Sequence, residues 1–166
     1  MEHADLIVIG AGQSGLATAA LAPRHGFARV LVLESAEEPG GAWPRYYDSL
    51  TLFSPARYSS LPGMRFPGDP DRYPRRDEVV DYLRAYAERL PASIRTSTTV
   101  ASAIRQDSVW RVRSEDGREF TAPAVIAATG DYGTPFSPIS RDTRGSAAVS
   151  CTPPTTAAPA RSPGSG

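Results

Sequence analysis

The sequence predicts an α/β fold built on a parallel βαβ unit, and three observations carry the prediction. Residues 5–9, DLIVI, form an unbroken apolar run that stops at Gly10, as a strand buried on both faces does before a tight turn. Residues 29–33, RVLVL, repeat that pattern and end at Glu34. Between the two runs stands GAGQSG, with Gly10, Gly12 and Gly15 in G-x-G-x-x-G spacing. Strand, glycine turn, helix and strand, joined by a right-handed crossover, open a Rossmann-like domain.

Residues 14–25 supply the helix of that unit, with Leu16, Ala19, Ala20 and Leu21 on it and Pro23 or Gly26 to end it. Residues 35–76 lose all periodicity to Pro, Gly, Ser and Tyr, yet carry Trp43, Leu50, Leu52, Phe53, Tyr58, Leu61, Met64 and Phe66. So much apolar surface does not stay solvated, and an ordered excursion over a site is expected. Asp77 offers an N-cap to a second helix whose stripe is Val79, Val80, Leu83, Tyr86, Ala87 and Leu90, stopped by Pro91. Beyond it Ile94, residues 100–104, 109–113 and 119–121 read as short strands of a meander, with Asp116 and Gly117 at a hairpin turn. Residues 124–128, AVIAA, read as one more buried strand.

Composition narrows the partners. The formal charge is +0, which removes the basic excess that nucleic acid or an acidic membrane usually selects and favours a small-molecule substrate. Cys151 is the single cysteine, so a disulfide framework within the chain and a thiolate metal site are both excluded. The first residues place Glu2 and Asp5 before the apolar run, unlike a signal peptide, and no segment reaches membrane-span length. A cytoplasmic protein is expected. All 18 basic residues are Arg, as GC-rich codons would produce.

The glycine motif carries the chemistry. Gly10 permits the sharp turn, Gly12 lets backbone approach a pyrophosphate, and Gly15 lets helix and strand touch. Gln13 and Ser14 open the helix, whose free amides and positive end suit phosphates. Glu34 stands about 20 residues on, where an acid accepts hydrogen bonds from a ribose. Its charge disfavours a 2′-phosphate at that position. His3 and His25 read as residues of a disordered start and a helix end, and Arg75, Arg76, Asp77 and Glu78 as a helix start in solvent.

Residues 34–43 read ESAEEPGGAW, and residues 44–74 read PRYYDSLTLFSPARYSSLPGMRFPGDPDRYP. Here the chain resembles the flavin-containing monooxygenases, including bacterial flavoprotein oxidoreductases described as potassium-transport flavoproteins and the plant YUCCA type. Gly40, Gly41, Trp43, Tyr47, Asp48, Leu50, Leu61, Pro62, Phe66, Pro67, Tyr73 and Pro74 sit where that pattern has them. The resemblance implies FAD on the glycine fingerprint, a GGxW backbone near the flavin through Gly41 and Trp43, and Val100 against adenine. It also implies that Ala128, Thr129 and Gly130 approach the cofactor from the other side. Trp43 and Val100 read equally well as core. Phe53 stands where the animal enzymes have an Asn beside the flavin, so no catalytic residue is assigned, and no metal site is expected.

The intact parent, by the same resemblance, binds NADPH on a second glycine fingerprint, reduces its FAD and activates O₂ to oxygenate a nucleophilic substrate. No second GxGxxG follows Gly130, and the family's closing segment is missing, so an incomplete domain over residues 1–136 is expected. The other reading is an inactive remnant or a simple flavin-binding module. Residues 137–166 have the composition of a disordered tail. Read one base away, from the third base of the Pro138 codon, they permit DIPGHEGFRGRQLHTADYRSPGPFAGQR, the continuation the family expects. Out-of-frame translation from about Ser137 is the sharper expectation.

Overall fold

A computed structural model describes residues 1–130, and the tail assignment lies outside them. Glu2–His3 forms a two-residue strand, β1. The apolar run becomes β2, Leu6–Ile9, with Leu6, Ile7 and Val8 almost wholly buried. Helix α1 is Gln13–Leu21 and passes into a 3-10 turn, Ala22–His25, that stops at Gly26 in the left-handed region (φ +87°). Pro23 tightens the end of the helix rather than breaking it earlier, since proline is tolerated in a first turn. Strand β3 is Val30–Leu33, buried along its whole length.

The excursion is ordered. It contains two short 3-10 turns, Trp43–Arg45 and Ala56–Tyr58, and folds back on itself through Leu52 N–H to the Pro74 carbonyl and Ala56 N–H to the Arg72 carbonyl, both at 2.8 Å. Helix α2 is Arg76–Glu88. Asp77 is not its N-cap: the flanking residue is Arg75, whose N–H donates to the Glu78 carboxylate at 2.8 Å. An acid three residues inside the helix satisfies the amide before it, so Glu78 does the work expected of Asp77. The stripe of α2 buries Val79, Val80, Tyr82, Leu83, Tyr86 and Ala87.

The remaining strands are β4 (Ser93–Arg95), β5 (Val100–Gln106), β6 (Val109–Ser114), β7 (Glu119–Ala122) and β8 (Ala124–Ala127). They complete two sheets. One is parallel throughout, in the order β4-β3-β2-β8, with Leu6 opposite both Val30 and Ala124. The other is the meander β5-β6-β7, antiparallel, with β1 added in parallel to β7. A helix-side core of Leu6, Val8, Leu16, Val30, Val32, Tyr82 and Leu83 lies on one face of the parallel sheet, and Ile7, Leu31, Leu33, Val112 and Phe120 form the core between sheets. Alternation along β2 and β3 sends successive side chains to these two cores, which is why both strands read as unbroken apolar runs.

Two expectations need correction. The start of the chain is not disordered: β1 pairs with β7, and His3 Nδ1 lies 2.5 Å from the Thr121 hydroxyl. The run AVIAA is not buried as a whole, since Ile126 is 41% exposed and Ala127 is exposed as well.

Candidate dinucleotide-binding site

The glycines act as the motif demands, with one division of labour. Gly10 has φ +105°, and a Cβ there would lie 2.4 Å from the Ala128 carbonyl oxygen. At Gly15 a Cβ would meet the Gly10 carbonyl oxygen at 1.9 Å, so helix and turn are in backbone contact. Gly12 differs, because a Cβ there would make only ordinary contact, 3.6 Å from the Gly41 Cα. Bareness at Gly10 and Gly15 therefore serves the fold, whereas at Gly12 the fold leaves room to spare.

Three backbone segments converge on this loop. Gly10 N–H donates to the Leu33 carbonyl at 2.7 Å, closing the turn onto β3. Gly40 N–H donates to the Ala11 carbonyl at 2.9 Å, and Gly41, at φ +61°, packs against Gly12. From the other side Ala128 N–H donates to the Ile9 carbonyl at 2.8 Å, bringing Thr129 and Gly130 to the carboxyl end of β2. Ligands of open parallel sheets bind at that end. The first turn of α1 has no side-chain cap and no acidic residue, and Gln13 and Ser14 are exposed there. Its amide groups and helix dipole are thus presented to an anion.

Glu34 has protein partners that the sequence reading did not include. Only 5% exposed, it accepts the Ala11 N–H on Oε2 at 2.5 Å, and on Oε1 the Ala36 N–H at 2.9 Å and the Ser35 hydroxyl at 3.2 Å. The carboxylate thus ties the glycine loop to the segment after β3. A carboxylate has about four acceptor positions, and three are taken, which leaves room for one further donor such as a ribose hydroxyl. Glu34 N–H donates to the Arg95 carbonyl and its own carbonyl accepts the Thr98 N–H, both at 2.8 Å. That bond ties the end of β3 to the segment just before β5, which begins at Val100. Val100 is half-buried against the inter-sheet core.

Trp43 packs partly into the helix-side core, with its ring edge-on to Tyr46 at 5.3 Å. The other aromatics of the excursion divide. Phe66 is buried against Tyr82 at 4.7 Å, but Phe53 is 98% and Tyr58 76% exposed. Two fastenings of the excursion escaped the sequence reading. The Tyr82 hydroxyl accepts the Leu61 N–H and donates to the Met64 carbonyl, each at 2.6 Å, and Tyr86 donates to the Pro62 carbonyl at 2.7 Å. Burial pushes both phenols above their ordinary pKa, Tyr82 despite the Leu61 amide. Arg76 is not a solvated residue either: it donates to the Tyr46 carbonyl at 2.6 Å and pairs with Asp48 and Asp77 at 2.8 Å. Tyr86 was visible only as part of an apolar stripe and Tyr82 not at all, and a charge run gives no sign of which Arg is inside.

A surface cleft of about 580 Å³ lined by Glu2, His3, Arg29, Leu90 and Ser93 among others opens at the amino ends of β2, β3 and β4. That is the wrong end of the sheet for the glycine loop, and the cleft has no part in the site. Among the described residues no cluster of metal-ligating side chains exists, and no helix is long and apolar enough to cross a membrane.

Comparison with known proteins agrees with this geometry. A family model described as pyridine nucleotide-disulphide oxidoreductase matches residues 7–145. The uncharacterized CzcO-like oxidoreductase of Geobacillus kaustophilus is 38% identical over 139 residues, 83% of this chain and 39% of that protein. The indole-3-pyruvate monooxygenase YUCCA1 of Oryza sativa is 36% identical over 135 residues, covering 80% and 33%. The solved flavin-containing monooxygenase from Stenotrophomonas maltophilia superimposes with a TM-score of 0.76 at 39% identity, covering 83% of this chain and 42% of that one. The chain spans about two fifths of the length of the first of these relatives.

Proposed function

Since the chain belongs to the pyridine nucleotide-disulphide oxidoreductase family and is flavin-containing-monooxygenase-like, we propose that it forms the FAD-binding part of an NAD(P)H-dependent flavoprotein oxidoreductase of monooxygenase type. The observation that carries this reading is the convergence of the Gly10 to Gly12 turn, the Gly40–Gly41 backbone and Ala128 on one uncapped helix N-terminus. Such an end suits a pyrophosphate, and the room at Gly12 suits its close approach.

The residues present fit an FAD. The amides at the start of α1, near Gln13 and Ser14, would hold the pyrophosphate, and the remaining acceptor position of Glu34 would take a ribose hydroxyl. Val100 would lie toward the adenine, and Gly41, Trp43, Ala128, Thr129 and Gly130 would border the chain leading to the flavin. Held by these residues, a flavin would supply the redox chemistry between NAD(P)H, O₂ and a small nucleophilic substrate. What this chain's residues do is bind and orient. Glu34 holds the loop in register while its charge repels a 2′-phosphate, which disfavours NADP at this site.

Purification and titration test the reading. Full-length protein is expected to bind FAD, followed by flavin fluorescence, and to bind FMN at least tenfold more weakly because FMN lacks the adenylate that Glu34 and Val100 would meet. Equal affinity for FAD and FMN, or none for either by a folded protein, overturns it. NADPH oxidation by the yellow protein tests catalysis separately: turnover supports an enzyme, and inertness supports a flavin-binding module without turnover.

A further inference from the structure

The segment after β3 is gripped from two sides. On one side the Glu34 carboxylate holds the glycine turn through the Ala11 amide. On the other, the loop between β4 and β5 donates two amides to it: Ser97 N–H to the Ala36 carbonyl and Thr98 N–H to the Glu34 carbonyl, both at 2.8 Å. The placement of the acid therefore depends on the conformation of residues 96–99.

That conformation is not one the loop favours by itself. Ser97 has φ +47°, a left-handed backbone that costs free energy in any residue carrying a Cβ. Such a residue persists only where its surroundings over-determine it, and here they come from the other sheet. Between β6 and β7, Arg118 reaches across to the loop. Its Nη2 donates to the Ser97 carbonyl at 3.2 Å and to the Thr98 hydroxyl at 2.9 Å. Thr98 is 1% exposed, and its hydroxyl donates onward to the Thr96 carbonyl at 2.8 Å.

The hairpin is braced to deliver that nitrogen. Asp116 accepts Arg118 Nε at 2.7 Å and also the hydroxyl of the buried Ser114. The Arg118 guanidinium first, and the Ser114 hydroxyl next, hold the Asp116 carboxyl well below the usual carboxylate range, so the pair stays charged at neutral pH. Glu115 N–H donates to the Thr99 carbonyl at 2.9 Å and fastens the far end of the loop. The turn itself makes no demand for arginine. Asp116 accepts the Arg118 backbone amide and Gly117 N–H donates to the Ser114 carbonyl, bonds that any residue but proline at position 118 would allow. The guanidinium serves the loop.

We propose that Arg118 is a positioning residue for the adenylate end of the site. Acting through Ser97 and Thr98, it holds the Glu34–Ala36 segment where Glu34 can meet a ribose, and it thereby sets the preference for FAD over FMN. The inference rests on the FAD reading above and adds to it the residue that fixes which flavin the site prefers.

Full-length Arg118→Gln is titrated with FAD and with FMN beside the parent, followed by flavin fluorescence. FAD affinity is expected to fall at least fivefold and FMN affinity to change less than twofold, because FMN has no adenylate to misplace. A general loosening of the fold would weaken both flavins alike, so the ratio of the two affinities separates positioning from stability. Arg113→Gln, at an exposed arginine on β6 of the same sheet, is expected to leave the ratio unchanged. Without ligand, the Ser97 and Thr98 amides are expected to exchange at least tenfold faster in Arg118→Gln than in the parent. Where Arg118→Gln does not fold, Thr98→Val removes the buried acceptor instead and is expected to lower the ratio at least twofold. A ratio that stays with the parent's, equal losses for the two flavins, unchanged exchange at Ser97 and Thr98, or a matching fall in Arg113→Gln overturns the proposal and leaves the FAD reading standing. A folded parent that binds neither flavin, or both equally, overturns that reading and this proposal with it.

Discussion

Replacing Glu34 by Ala probes the tie between the glycine loop and β3. The substitution removes an acceptor of the Ala11 N–H at 2.5 Å and of the Ala36 N–H at 2.9 Å. Hydrogen bonds to an ionised partner contribute about 1.5–3 kcal/mol each. The Ala11 amide is buried with the carboxylate, so it finds no water in compensation, whereas the half-buried Ala36 recovers part of its loss from solvent. The net loss is about 3 kcal/mol, a large share of the roughly 5–15 kcal/mol that stabilises a typical domain. Urea unfolding at pH 7 measures it, provided the slope of the transition is unchanged. Glu34→Gln is expected to lose about half as much, because its amide oxygen keeps one N–H while its NH₂ group faces the other. Hydrogen exchange at Ala11 should accelerate by about a hundredfold in the Ala variant, as about 3 kcal/mol requires. A loss below about 1 kcal/mol for Glu34→Ala, or equal losses for the two variants, would refute the reasoning.

Glycine variants separate folding from binding. Gly15→Ala and Gly10→Ala are expected to cost more than about 3 kcal/mol, since each puts a Cβ against a backbone oxygen that cannot retreat. Gly12→Ala should stay within about 1 kcal/mol of the parent in unfolding yet lose FAD affinity at least tenfold. Gly12→Ala that binds FAD normally argues against a pyrophosphate there. Tyr82→Phe leaves the Leu61 amide and Met64 carbonyl without a partner and should cost about 2 kcal/mol, roughly twice Tyr86→Phe, which strands only the Pro62 carbonyl. The reverse order in urea would count against the two-bond account. The pH dependence has a sign at each end. Glu78 is held below the usual carboxylate range by the Arg72 guanidinium and then the Arg75 amide. The unfolded state therefore takes up protons first as pH falls through about 4.3, so stability drops there and is lost by the folded pKa. Tyr82 is raised, so above about pH 10 the unfolded state sheds its proton first and stability falls as pH rises. Glu78→Gln should flatten the acid limb of urea midpoint against pH and Tyr82→Phe the alkaline limb; unchanged slopes would exclude these groups.

Local patterns were legible where a single element determines them. The runs DLIVI and RVLVL, the glycine spacing and the stripe of α2 each express burial or backbone needs within a few residues. The pieces that escaped depend on partners far along the chain. Glu2 and His3 carry no strand signal, and their strand exists only because β7 lies alongside. Asp77 is an ordinary cap residue by type, yet the Arg75 amide is met by Glu78. Arg76 sits in a charge run whose letters do not reveal that one guanidinium reaches the Tyr46 carbonyl. Gly10, Gly12, Gly15, Gly41 and Ala128, singled out by pattern and resemblance, lie together in the structure, whereas the fastening made by Glu34 was not foreseen. An acid at the end of a strand signals an acceptor without saying which donors it meets. β8 shows the converse: its letters describe the strand's ideal surroundings, and its neighbours decide how much of that is met.

The close approach of Gly10 to Ala128 also bears on when the site can exist. The Gly10–Gly12 turn is braced by a residue about 120 positions away, and β2 pairs with β8 across a similar separation. During synthesis the fingerprint leaves the ribosome early but lacks its brace until β8 emerges. Contacts of such sequence separation are entropically expensive to close and slow folding. The glycine turn is thus among the first parts of this domain to be made and among the last to be finished.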